Sequence, residues 1–198
     1  MCRHEEELRK MIANRLSNVM YKSGYTYTTL AFKLGCAENG PRCWMTGKQI
    51  PALIKFIEMA IIFNCSTDYL LGLSNDFDEL KVAGDSVDIS VLVFFIGDRI
   101  SNVQSARGYS NNKLAEELEV KPCTVANWLS GRNTPNILYI IKMAQLLNVS
   151  TDYILGLSDD SPKFIKKADD NLTRCSCAAV DSGISYGKYM AMNYHNKK

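Results

Sequence analysis

Apolar positions Ile96, Ile100 and Val103 recur at helical spacing, and the run Val91-Leu92-Val93-Phe94-Phe95 leads into them. The spacing predicts a helix from there through Ala106, ended by Gly108. Ser110 is a good N-cap for a short helix over 111–118, with Leu114, Ala115 and Leu118 facing inward. Glu119-Val120-Lys121 forms a tight connection to a third helix. Pro122 suits the first position of that helix, because an N–H there would lack an intrahelical partner in any case. Val125, Trp128 and Leu129 give it a core face, and Gly131 stops it. Thr134-Pro135 reads as a cap and proline start for a fourth helix running to about Leu147. Ser150-Thr151-Asp152 caps a short fifth helix that Gly156 ends, with Asp152 suited to the positive end of the helix dipole. The class is all-α.

The same pattern is written twice. Residues 64–76, Asn-Cys-Ser-Thr-Asp-Tyr-Leu-Leu-Gly-Leu-Ser-Asn-Asp, return at 148–160 as Asn-Val-Ser-Thr-Asp-Tyr-Ile-Leu-Gly-Leu-Ser-Asp-Asp, an offset of 84 (148 minus 64). The offset holds backward without a gap: Trp44 finds Trp128, Gly47 finds Gly131, Pro51 finds Pro135, and Leu30-Ala31 finds Leu114-Ala115. An ungapped period of this length predicts one folding unit duplicated in tandem. Copy one then occupies 1–76, an acidic linker 77–89, copy two 90–160 and a C-terminal tail 161–198. Phe77 and Leu80 are expected to pin the linker to a domain surface. In the tail, Tyr186, Tyr189, Met190, Met192 and Tyr194 suggest a short helix that packs on a partner.

Composition narrows the classes. A chain of 198 residues divided into two units of about 60–70 residues leaves each near the lower limit for autonomous folding. The 46% hydrophobic content is ordinary for a soluble protein. No stretch approaches the ~20 apolar residues of a membrane span. The start, Met1-Cys2-Arg3-His4-Glu5-Glu6-Glu7, lacks an apolar signal core, so a cytoplasmic location without a membrane partner is expected. Seven cysteines, odd in number and scattered, are expected to be free thiols. Cys36 and Cys65 align with Val120 and Val149 and read as small core hydrophobes. Cys175 and Cys177 lack a second pair or a nearby histidine, so no metal site and no cofactor are expected. The net charge of +2 neither establishes nor excludes nucleic-acid binding, because such footprints are local. The two histidines, His4 and His195, are terminal. With no phosphate loop, metal-spaced cluster or nucleophile elbow, an enzyme is not expected.

Leu114-Ala115-Glu116-Glu117-Leu118-Glu119-Val120, then Val125, Trp128-Leu129-Ser130-Gly131-Arg132 and Pro135, resemble the Cro/repressor-type (XRE-like) helix-turn-helix family of bacteria and phages. The likeness covers about 95–158 well and 11–74 less evenly. It implies two tandem five-helix domains of lambda-repressor-like fold. It also implies that the third helix lies in the DNA major groove while the second crosses the backbone. Carried over by position, Asn111 reaches a phosphate, and Lys121, Cys123, Thr124 and Asn127 lie on the outward face of the third helix. Asn127 can pair with an adenine edge, and Lys121 with a guanine or a phosphate. Arg132 and Asn133 follow, where backbone contacts are expected.

Copy one departs from this pattern. Gly40 and Pro41 stand where copy two has Thr124 and Val125, and inside a helix they cost about 1 and 3 kcal/mol. A later start is predicted, with Asn39 or Gly40 as cap and Pro41 in the first turn, leaving barely a turn and a half. Glu38 would face phosphates unfavourably; Arg42 and Lys48 remain candidate DNA contacts. In the first helices, Glu7, Arg9, Lys10 and Met11 align with Val91, Val93, Phe94 and Phe95. A helix apolar on all sides is buried on all sides, so these four are expected to dock on copy one or on another chain. The resemblance implies a DNA-binding transcriptional regulator of repressor type, acting on double-stranded DNA as a homodimer or pseudo-dimer. The alternative is a helix-turn-helix scaffold that grips a protein partner through copy one, in the manner of phage anti-defence inhibitors or antitoxins.

Overall fold

The computed structural model describes residues 3–80 and 89–158. Regular structure among them is helical, apart from one isolated antiparallel bridge between Cys65 and Glu79. The chain divides into two compact units with the boundary between Glu79 and Leu80. The linker centre at 81–88 and the tail, with Cys175, Cys177, His195 and the tyrosines expected to pack, lie outside the described residues.

Unit two begins with α6 (Ile89–Ala106), whose buried stripe is Ile96, Gly97, Ile100, Val103 and Gln104. Within unit two the apolar run at the start of α6 is left open. Val91, Phe94 and Phe95 are 49, 69 and 45% exposed, and Val93 is half-buried. The two phenylalanine rings meet edge to face at 5.4 Å. A helix packed through one face covers only every third or fourth residue, so a consecutive apolar run cannot all be buried by the partners on that face.

Next come α7 (Asn111–Glu117) and α8 (Pro122–Leu129). The Ser110 hydroxyl accepts from the Lys113 N–H at 3.2 Å, as its N-cap role predicts. The turn between the helices needs a left-handed residue. Glu119 supplies it at φ 56, and the Val120 N–H then donates back to Ala115 O at 2.9 Å. Pro122 occupies the first turn of α8. Val125 and Trp128 are buried, and the Trp128 ring lies 4.8 Å from that of Tyr139. Helix α6 reaches α8 through Gly97. A Cβ there would sit 2.6 Å from Trp128 O and 2.7 Å from Leu129 O, so the bare Cα sets how close the two helices come.

The start of α9 (Ile137–Leu146) lies later than Thr134-Pro135 predicts. Asn136 is the cap, its Oδ1 accepting from the Tyr139 N–H at 3.1 Å, while Pro135 is buried in front of it. Asparagine is among the best residues for a cap, and its extended backbone ends the proline segment before the helix begins. The short α10 (Thr151–Ile154) is capped by Ser150, as predicted.

Unit one contains α1 (Arg3–Lys22), α2 (Tyr27–Lys33), α3 (Asn39–Met45), α4 (Leu53–Ile62) and α5 (Thr67–Leu70). Helix α3 starts at Asn39 with Glu38 as the preceding cap residue, which makes no side-chain cap hydrogen bond. The predicted cap was thus one or two residues late, and α3 has seven residues against eight for α8. Pro41 is its third residue and is buried. The first helical N–H groups have no acceptor behind them, so proline there breaks no hydrogen bond and fills the core position that Val125 fills in unit two. Cys65 is buried, whereas Cys36 is only half-buried. Positive-φ residues recur at the same offset: 24 and 108, 35 and 119, 47 and 131, 64 and 148, 72 and 156.

Candidate nucleic-acid interface

Helices α7 and α8 pack together through Leu114, Ala115, Val125 and Trp128, all buried. That packing turns a fixed set of other side chains outward. Asn111 opens α7 and is exposed. Lys121, the cap residue of α8, is exposed, and so is Cys123. Thr124 and Asn127 are half-buried, and Arg132 and Asn133 are exposed in the turn that follows. The Asn127 carbonyl closes that turn, accepting from Asn133 N–H at 3.2 Å and from the Ser130 hydroxyl at 3.3 Å. Ala126 shares the outward face and is exposed. The surface is chemically sparse, with amide, hydroxyl and ammonium tips standing among small residues. Such groups donate to phosphates and base edges.

The corresponding end of unit one is arranged differently. Arg42 Nη2 lies 3.3 Å from Glu38 Oε1 one turn back, and its guanidinium stands 5.6 Å from the centroid of the Tyr27 ring. Its charge is therefore partly answered within α3. Lys48 is exposed beyond the helix, its carbonyl accepting from Arg9 Nη1 at 3.3 Å. These two cations belong to the other unit from the seven residues above. On α1, a hydrogen bond and the charge of Lys10 hold the Glu6 carboxyl below its usual range, away from α2 and α3 in sequence.

Two residues of unit two escaped the sequence reading. Gln104 is buried at the end of α6, with its Nε2 2.6 Å from Asn111 Oδ1. The signal was present, since Ile96, Ile100 and Gln104 follow one another at four-residue spacing and a polar residue in an apolar stripe needs a partner. Lys113 is exposed in the first turn of α7, its ammonium 4.6 Å from the centroid of the Tyr109 ring.

Residues 104–154 match a helix-turn-helix family model. They form a helix-turn-helix domain. The match opens at Gln104 and closes at Ile154, so it takes in α7, the turn, α8, α9 and α10. A stretch of 68 residues, 34% of this chain, is 31% identical to the HTH-type transcriptional regulator ImmR of Bacillus subtilis (strain 168). It covers 54% of that protein, so the chain spans about half the length of the curated relative it matches. No solved structure matches. Among the described residues, no helix is long and apolar enough to cross a membrane.

Proposed function

We propose that this protein is a sequence-specific transcriptional regulator of bacterial or phage repressor type, acting on double-stranded DNA in the cytoplasm. The helix-turn-helix match across α7, the turn and α8 carries the reading, and the name of the relative agrees with it. In this reading α8 enters the major groove. Lys121, Cys123, Thr124 and Asn127 face the bases and nearby phosphates, and Asn111, Arg132 and Asn133 hold the backbone. Unit one is a second five-helix copy of the same fold whose α3 has lost the reading role, because Glu38 answers Arg42 and repels phosphate. Two chains acting as a homodimer then bring two second units to half-sites roughly 34 Å apart.

Selection of binding sites from random duplex DNA tests this. An enriched motif is expected, with affinity falling steeply as salt rises. Asn127→Ala with Lys121→Ala should erase the motif and flatten the salt slope by about one. Binding without sequence preference would overturn the reading.

A second reading has its own support. Phe32 and Tyr21 of unit one are 88 and 85% exposed, and unit two separately exposes Val91, Phe94 and Phe95. Contiguous exposed apolar patches mark protein contacts. In that reading unit one grips a protein partner and Val91, Val93, Phe94 and Phe95 form an interface. Failure of the selection, with a specific protein retained by the full chain but not by Phe32→Ser, would favour it.

A further inference from the structure

The pair Gln104–Asn111 is unusual in its chemistry. Gln104 is 5% exposed, as buried as its apolar neighbours on the α6 stripe. Its Nε2 donates to Asn111 Oδ1 at 2.6 Å. Its own Oε1 is buried and has no hydrogen-bond partner among the described residues. A buried amide left half-satisfied is a burden on the fold; an apolar side chain of the same length would pack there without it. Unit one shows that alternative at the same register. Gln104 corresponds to Met20, which is buried, and Asn111 to Tyr27, which lies under Arg42. Both members of the pair differ together, and the polar version sits in the unit whose α8 is intact.

The consequence concerns which end of the Asn111 amide faces solvent. A free asparagine amide can present either its oxygen or its NH2 group. Turning both amides over would leave both Gln104 N–H groups buried without an acceptor, a worse defect than one unpaired carbonyl oxygen. Gln104 therefore donates, Oδ1 is held, and Nδ2 is the end left for an outside partner of the exposed Asn111. An outward NH2 group is a pure donor, suited to an anionic oxygen and unsuited to a carbonyl-seeking donor. We propose that Gln104 is a positioning residue that locks the Asn111 amide with its NH2 group outward, making it a donor to a DNA backbone phosphate. The proposal rests on the reading of unit two as DNA-binding.

The test uses the full chain and the duplex enriched by selection. Gln104→Met, the residue unit one carries, should weaken binding about three- to tenfold, the worth of one ordinary hydrogen bond, while leaving the unfolding midpoint unchanged or raised. Asn111→Ala should weaken binding equally, and the double variant should be no weaker than either single one. Gln104→Glu can only accept, so it should draw Nδ2 inward, turn Oδ1 to the phosphate and give the largest loss. A scan of neutral methylphosphonates should find one backbone position that weakens wild type but not Gln104→Met. A merely structural role for Gln104 would instead lower the midpoint, and its effect on affinity would add fully to that of Asn111→Ala. Either result overturns the proposal, as does wild-type affinity in Gln104→Glu. If wild type enriches no duplex, the DNA reading fails and the proposal falls with it. If wild type binds and these variants bind alike, the positioning role alone fails.

Discussion

Helices α3 and α8 fill one core position with different residues, Pro41 and Val125, and both are buried. What differs is where each helix begins. Proline is the third residue of α3, ahead of the first N–H that has an acceptor in its own helix. Valine is the fourth residue of α8, where that acceptor exists. A one-residue change in helix start thus decides whether proline is a tolerated filler or a helix breaker. The outward faces diverge with it. Unit two presents Lys121, Cys123, Ala126 and Asn127, whereas unit one presents a neighbouring Glu38–Arg42 pair.

The largest expected effect comes from moving the proline across. Val125→Pro should destabilise unit two by about 3 kcal/mol or more, by removing a helical hydrogen bond and clashing with the carbonyl behind it. Urea unfolding followed by Trp128 fluorescence in a Trp44→Phe background measures it; a midpoint near wild type would show that α8 can restart later, as α3 does. Gly97→Ala should come next, at about 2 kcal/mol. Its Cβ would meet two backbone carbonyls that cannot swing away, and DNA affinity should fall because α8 shifts. Unit one carries an alanine, Ala13, at the same register. The third pair of variants exchanges caps. Asn136→Ala should cost about 1 kcal/mol, and Ala52→Asn, at a cap with no side-chain hydrogen bond, should gain a similar or smaller amount; thermal unfolding compares the two. Smallest of all, Glu119→Gly should change stability by a few tenths of a kcal/mol. It relieves a left-handed residue but adds the chain entropy that glycine loses on folding. Gly35, at φ 59 in the same turn of unit one, is the control, and Gly35→Glu should cost at least as much as the reverse change gains.

Much of this was legible in the sequence, for physical reasons. Helix periodicity, Ser110, Ser150 and Pro122 place unit two's helices, because each rests on a local rule that the fold does not override. Asn136 as a cap was missed because Thr-Pro is also a good start, and only the backbone at 136 separates the two. How far unit two itself covers Phe94 and Phe95 was not legible, because a hydrophobic run says what a segment avoids, not whether its partners reach far enough to cover it. The Gln104–Asn111 pair joins two helices; the spacing within α6 marks Gln104 as a buried amide in need of a partner, but not which residue of α7 answers it. The outward set of α8 follows from the positions of Val125 and Trp128, since a helix with a known inner face has a known outer one.

The near-identity of the closing segments has a consequence for how the chain is made. Helices α5 and α10 carry almost the same residues and the same serine cap, so each presents its sibling's pocket with a plausible guest. A denatured chain refolding all at once must choose between guests by small differences such as Leu70 against Ile154. On the ribosome the choice is made by time. At about 5–20 residues per second the second guest emerges several seconds after the first, whereas a small helical unit closes within milliseconds. Vectorial synthesis therefore seats the first segment before its double exists.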